Sequence, residues 1–183
     1  MIQVTNITLV SSMLMASVAV ADEPRQTPEL SQQMIDRAKS TAGTWRCDGS
    51  GMGMDGKAVS FGGTYRSKPD LDGSWIHNSF AGTLGSGKSA MKYKFEAYAT
   101  WDPGTKRWRE VFVDNFGDQT LSGGAEMKDG KLDITGESLD MLGRSTIHDH
   151  LDASDATRLQ FRGEQSRDGG KTWQNMYEMT CKK

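Results

Sequence analysis

The sequence predicts an all-β protein, in which an antiparallel meander of about 8–10 strands closes into a barrel behind a short N-terminal helix. After Gly43, glycines and Asp-Gly pairs recur about every ten residues, and apolar and polar residues alternate between them. The connections are too short for the crossovers that parallel strands require. Cys47 and Cys181 stand near the two ends of this region, as expected if its first and last strands are neighbours.

The first 21 residues have the pattern of a secretory signal peptide. Residues 7–21 are almost all apolar or small, and they end in Ala19-Val20-Ala21, a motif that signal peptidase accepts. This run is shorter than the roughly 20 apolar residues of a membrane-spanning helix. We therefore expect residues 1–21 to be removed from an exported protein, which would be periplasmic in a Gram-negative host and otherwise secreted.

Residues 22–42 are expected to form a leader that ends in a helix. Pro24 and Pro28 indicate a flexible start, and Gly43 ends the helical pattern. The predicted helix, Pro28–Ala42, has apolar residues at helical spacing, namely Leu30, Met34, Ile35 and Ala38.

Residues 43–183 form the predicted barrel domain. Turn signals and alternation predict ten strands: Thr44–Gly51, Ala58–Ser67, Ser74–Gly82, Met91–Trp101, Arg107–Asn115, Gln119–Met127, Lys131–Glu137, Ser145–Ala153, Thr157–Ser166 and Thr172–Cys181. In the fourth strand one face carries Tyr93, Phe95, Ala97, Ala99 and Trp101. The small residues on that face indicate space inside a barrel, although a packed sandwich core fits the same pattern.

Composition narrows the classes of partner. The formal net charge is −2 and the pI is about 5.9, with acidic and basic residues interspersed. Nucleic-acid binding is therefore not expected, because no basic stripe is present. No second long apolar run follows residue 21, so no membrane span is expected, and nothing in the sequence fixes an oligomeric state.

Two cysteines in an oxidising compartment usually pair. A bond between Cys47 and Cys181 would hold the first and last strands side by side and close the barrel. The alternative is two free, buried thiols.

Several short motifs resemble the DUF1579 family of bacterial, often exported proteins. The first is the Gly-x-Trp start of lipocalins and other calycins, here Gly43-Thr44-Trp45. The other marks are Tyr65-Arg66-Ser67, Asp72-Gly73-Ser74-Trp75-Ile76, Tyr98-Ala99-Thr100-Trp101-Asp102, Lys106-Arg107-Trp108, Val113-Asp114-Asn115, Gly170-Lys171-Thr172-Trp173 and Tyr177-Glu178-Met179-Thr180-Cys181. The resemblance covers nearly all of residues 43–183 and implies a calycin-like barrel, without implying a particular activity.

Residues 166–173 match a single Asp-box, the motif Ser-x-Asp-x-Gly-x-Thr-Trp of sialidase-type propellers. A propeller needs one copy in each of several blades, and this chain has one. We therefore interpret the motif as a stable hairpin turn, in which Asp168 accepts hydrogen bonds from backbone amides.

A barrel of this kind predicts a binding protein for a small hydrophobic or amphipathic ligand, because barrel mouths favour pockets lined by aromatic residues. A structural or interaction domain with a filled core is an alternative. The predicted ligand-binding residues are Tyr65, Trp75, His77, Phe95, Trp101 and Tyr177.

The chain's three histidines suggest enzymatic, haem-binding or metal-binding roles, although the sequence requires no cofactor and contains no familiar catalytic motif. His77 or the His148/His150 pair would supply the acid or base of a barrel isomerase or hydrolase. His77 would also be the axial ligand if the barrel held haem. His148 and His150 share one face of a strand and would bind a metal with a third ligand, for which the candidates are His77, Glu137 and Asp114. Otherwise the pair faces solvent, opposite buried Ile147 and Leu151.

Overall fold

The computed structural model describes residues 29–53 and 56–183, which form a closed antiparallel barrel with one α-helix before it. The predicted signal peptide lies outside the described residues. The helix is α1, Gln32–Thr41. The strands are β1 Gly43–Met52, β2 Ala58–Asp70, β3 Trp75–Leu84, β4 Met91–Asp102, β5 Arg107–Asp114, β6 Gln119–Gly124, β7 Lys131–Asp140, β8 Gly143–Asp155, β9 Arg158–Ser166 and β10 Gln174–Lys182. Single 3₁₀ turns occupy Leu71–Gly73 and Gly87–Ser89. No helix in these described ranges is long and apolar enough to cross a membrane.

Each strand pairs with its neighbours in sequence, and β1 pairs with β10 to close the ring. Cys47 lies directly opposite Cys181 at this seam, and a disulfide joins them across a sequence separation of 134 residues. The predicted barrel, its strand number and its disulfide are confirmed. The alternatives of a sandwich and of free thiols are therefore wrong.

Helix α1 covers one end of the barrel. It begins at Gln32 rather than at the predicted Pro28, because the Ser31 side chain accepts a hydrogen bond from the backbone N–H of Met34 and caps the helix. The Trp45 indole N–H donates to the carbonyl oxygen of Thr41 at 2.8 Å, which ties the end of α1 to β1. We call this end of the barrel the covered end.

The covered end holds the most deeply buried part of the core. Trp45, Ile76, Trp108 and Leu159 are all fully buried there, and the rings of Trp101 and Trp108 meet edge to face at 5.7 Å. Burying an apolar side chain of this size stabilises a fold by roughly 2–3 kcal/mol. This packing fills the covered end, so any space inside the barrel must lie toward the other end.

The single Asp-box forms the turn between β9 and β10. The Asp168 carboxylate accepts hydrogen bonds from the backbone N–H of Lys171 and of Thr172, and also from the Ser166 and Thr172 hydroxyls. These hydrogen bonds lower the pKa of Asp168 to about 2. The interpretation of this motif as a hairpin turn is confirmed.

Candidate functional site

A band of aromatic rings lines the inside of the barrel beyond the covered core. It consists of Tyr93, Phe95, Phe112, Phe161 and Tyr177, and we call it the aromatic band. The rings of Phe95 and Phe112 lie 5.1 Å apart, and those of Tyr93 and Phe95 lie 6.3 Å apart. All five side chains face inward, yet each remains partly exposed to solvent. These inward-facing rings therefore meet solvent, and we call the end of the barrel that α1 does not cover the open end.

A carboxylate lies within this band. Asp149 of β8 points inward, and the Tyr177 hydroxyl donates a hydrogen bond to its Oδ1 at 2.9 Å. Gly163 of β9 stands between the two in cross-strand register. A Cβ atom at Gly163 would overlap a Tyr177 ring carbon and would lie 2.6 Å from Asp149 Oδ1. The absence of a side chain at Gly163 is thus what allows the Tyr177 ring to lie against the wall beside Asp149.

The surroundings change the acidity of both groups. Burial raises the pKa of Asp149 to about 7, although the hydrogen bond from Tyr177 opposes this increase. Burial also raises the pKa of Tyr177 well above its ordinary value, and the nearby Asp149 charge adds to this effect. Near neutral pH, Asp149 therefore changes between acid and carboxylate while Tyr177 keeps its proton.

Charged and polar groups form the floor of the interior, between the aromatic band and the covered end. Arg37 of α1 donates to Glu110 Oε2 at 2.9 Å, and its guanidinium lies 4.6 Å above the centre of the Trp108 ring. Arg37 Nη1 and Trp108 Nε1 are buried and have no acceptor among the described residues. A buried donor without an acceptor costs about 1–3 kcal/mol, so this floor favours an added oxygen atom.

Four of the six predicted ligand-binding residues face the interior. Tyr65, Phe95 and Tyr177 lie in or beside the aromatic band, where the Tyr65 and Phe161 rings are 5.2 Å apart. Trp101 also points inward, but it belongs to the covered core. Whether any of the four contacts a ligand stays a prediction.

Trp75 and His77 do not face the interior, which corrects the expectation that they line it. On β3 the buried side chains are Ile76, Asn78 and Phe80, so the intervening residues point outward. There the His77 ring stacks on Tyr98 at 4.6 Å. His77 is therefore outside the space in which a haem ligand or an interior acid or base would have to stand.

The histidine pair also lies on the outer face, opposite Ile147 and Leu151. The rings of His148 and His150 are 4.1 Å apart, and His150 Nδ1 forms a hydrogen bond with Asp133 Oδ1 at 2.5 Å. Asp133 was not among the expected third ligands, but it lies directly opposite His150 in the β7–β8 register.

The three expected third ligands lie elsewhere. His77 is on β3, where it contacts Glu96. Glu137 is opposite Thr146 in register and contacts Arg144. Asp114 lies on the inner face of β5, where it accepts hydrogen bonds from the backbone N–H of two residues in the β5–β6 turn, Phe116 and Asp118.

The residues that sequence reasoning missed are Asp149, Arg37 and Glu110. The sequence did contain an indication for Asp149. On a strand, residues two positions apart point to the same face, so Asp149 shares a face of β8 with Ile147 and Leu151, which were expected to be buried. No comparable signal existed for Arg37 and Glu110, whose contact joins α1 to β5.

Together, the closed antiparallel barrel, the covering helix and the solvent-reached interior define a lipocalin-like β-barrel protein. More particularly, the chain belongs to the family described as "Protein of unknown function (DUF1579)", whose model matches residues 31–183. No curated protein matches the chain at a significant level.

Two solved structures share the fold. Rv2717c from M. tuberculosis is 10% identical with a TM-score of 0.63, and the match covers 85% of this chain and 99% of that one. The S-type phycobiliprotein lyase CpeS from Guillardia theta is 8% identical with a TM-score of 0.56, covering 81% and 91% respectively. At such low sequence identities, the structural similarity to these two proteins shows that the fold is shared.

Proposed function

We propose that this protein binds a small amphipathic molecule inside the open end of its barrel. The observation that carries the proposal is the aromatic band, whose inward-facing rings remain in contact with solvent. Aromatic surface that water reaches gains free energy when an apolar ligand covers it, at about 25 cal/mol for each Å² removed from water. Concave sites of this composition are typical of small-molecule binding.

The polar groups around the band define the other half of the ligand. Arg37 and Trp108 each offer a buried donor without an acceptor among the residues described, which favours a carbonyl or carboxylate oxygen on the ligand. Asp149 offers its carboxyl group, and Tyr177, whose proton is donated to Asp149, offers a hydroxyl oxygen that can accept a hydrogen bond. The ligand we propose therefore has an apolar, ring-sized body and at least one hydrogen-bond-accepting oxygen.

The proposal assigns binding and no catalytic step. The acid–base alternative needed His77 or the His148/His150 pair beside the ligand, and all three histidines lie on the outer face of the wall. The lyase CpeS shares the fold, but its 8% identity carries no activity over to this chain. The ligand proposal therefore rests on the interior of this barrel.

We also propose that binding takes place outside the cytoplasm. The Cys47–Cys181 bond is of a kind that persists in oxidising compartments, and the sequence of residues 1–21 has the pattern of an export signal. Periplasmic or culture-medium fractions should therefore contain the protein with residues 1–21 removed, as the intact mass would show. A full-length chain found only in the cytoplasm would contradict this location.

The binding proposal can be tested with anilinonaphthalene sulfonate, a fluorescent probe that combines aromatic rings with an anionic group. Tyr93 and Tyr98 provide a matched pair, because they stand on the same strand and face opposite sides of the wall. Replacing Tyr93 with alanine should weaken probe binding about tenfold, as expected for losing the contact of one aromatic side chain. Tyr98→Ala should leave it unchanged.

Two results would count against the proposal. One is fluorescence that does not saturate with probe concentration, which would favour a structural domain with a filled interior. The other is an equal loss of affinity in both variants. Native mass spectrometry of protein purified from its own host supplies an independent measurement, because a carried ligand would appear as added mass that Tyr93→Ala diminishes.

A further inference from the structure

We propose that the outer face of the barrel carries a binding site for a divalent transition-metal ion such as Zn²⁺, formed by His148, His150 and Asp133. The three side chains belong to the neighbouring strands β7 and β8, on the face opposite the aromatic band. This site is therefore separate from the proposed ligand site, and either proposal can fail without the other.

The geometry brings three ligand atoms together. One atom from each side chain lies within 4.8 Å of the other two, and the imidazole rings are 4.1 Å apart. Ligands arranged tetrahedrally around Zn²⁺, at about 2.1 Å from the metal, lie about 3.4 Å from one another. Small side-chain rotations therefore suffice to close the site, and the strand pairing already fixes the three Cα positions.

The chemistry of the three groups suits this ion. Imidazole nitrogen and carboxylate oxygen are ordinary zinc ligands, and two histidines with one carboxylate leave a further position for water. Asp133 is exposed, whereas His150 is about 30% exposed at its side chain, so solvent ions reach the site without any opening of the barrel.

One neighbouring residue opposes metal binding. Arg162 Nη2 lies 3.4 Å from His150 Nε2, and the same guanidinium nitrogen lies 3.2 Å from Glu164. A metal held at His150 Nδ1 requires the imidazole proton on Nε2, which then faces the Arg162 donor. Arg162 must therefore turn toward Glu164 when the ion binds, and removing its charge should strengthen binding.

Isothermal titration of tag-free protein with ZnCl₂ tests the site, and the third histidine of the chain supplies the control. His77 also contacts a carboxylate, that of Glu96, but has no second imidazole beside it. We expect one equivalent of Zn²⁺ to bind the wild type and His77→Ala alike. His148→Ala and His150→Ala should each weaken binding at least about tenfold, and Arg162→Gln should strengthen it several-fold.

A second measurement needs no variant that removes a ligand. The imidazole resonances of the three histidines can be assigned in proton–nitrogen correlation spectra, and added Zn²⁺ should shift those of His148 and His150 while His77 stays in place. Equal shifts at all three histidines, unaltered affinity in both alanine variants, or no detectable binding at micromolar protein would each overturn the proposal.

Discussion

Replacing Asp149 with asparagine should stabilise the protein at neutral and alkaline pH. Burial raises the pKa of this carboxyl from 3.8 to about 7, so the folded chain holds the Asp149 proton more tightly than the unfolded chain does. Stability that depends on this proton is fully present below about pH 4 and is lost as the pH rises through 7. Asparagine keeps the acceptor oxygen for the Tyr177 hydroxyl and cannot ionise. The variant should therefore not lose stability in this way as the pH rises.

The size of the effect follows from the two pKa values. A change from 3.8 in the unfolded chain to about 7 in the fold corresponds to about 4 kcal/mol at pH 8. This figure is an upper bound, because Asp149 is surrounded by the barrel wall and yet keeps part of its surface in contact with solvent. We expect the free energy of unfolding to differ by about 2–4 kcal/mol between Asp149→Asn and the wild type at that pH.

Urea denaturation at a series of pH values between about 4 and 8 measures this difference. The gap in free energy of unfolding between Asp149→Asn and wild type should widen steadily with pH. Asp48→Asn, the same chemical change at an exposed position on β1, should show no such trend. A gap that stays constant across the series would refute the reasoning, because Asp149 would then ionise equally in the folded and unfolded chain.

Three further changes have defined outcomes. Replacing both Cys47 and Cys181 with serine should lower the free energy of unfolding by up to about 5 kcal/mol in urea denaturation, since the bond closes a separation of 134 residues; an unchanged midpoint would contradict this. Gly163→Ala should lower the free energy of unfolding by about 1–3 kcal/mol in the same assay and displace the Tyr177 ring. Unaltered Tyr177 resonances would contradict this, because the backbone of the barrel wall would then have moved instead of the ring. Ser31→Ala should cost about 1 kcal/mol by removing the helix cap, and this prediction fails if the thermal midpoint stays in place.

Much of the fold could be predicted because its determinants are local. Turn glycines and alternation are properties of short segments, and each of the ten predicted strands overlaps one observed strand. The errors occur where tertiary contacts intervene. The sixth strand ends at Gly124 rather than at the predicted Met127, whose backbone N–H donates instead to Gln33 of α1.

The site was harder to predict, because alternation shows which residues share a face of a strand but does not show which face points into the barrel. On β4 the aromatic residues shared one face with small ones, and that face was correctly expected to be the inner one. On β3 both faces carry large apolar residues, Trp75 on one and Ile76 on the other, so the pattern was ambiguous. In the structure the face with Ile76 points inward, and Asn78 on the same face is buried and accepts a hydrogen bond from the Tyr65 hydroxyl.

The position of the seam disulfide constrains the order in which the protein can assemble. Cys181 lies on β10, the strand that closes the ring against β1, so the ring cannot be sealed until β10 has been made. Until then β1 has hydrogen-bonded neighbours on one side alone, and a strand edge of this kind invites pairing with other chains. A chain in which β10 has yet to pair with β1 therefore exposes two strand edges, and the Cys47–Cys181 bond holds together the pairing that removes them.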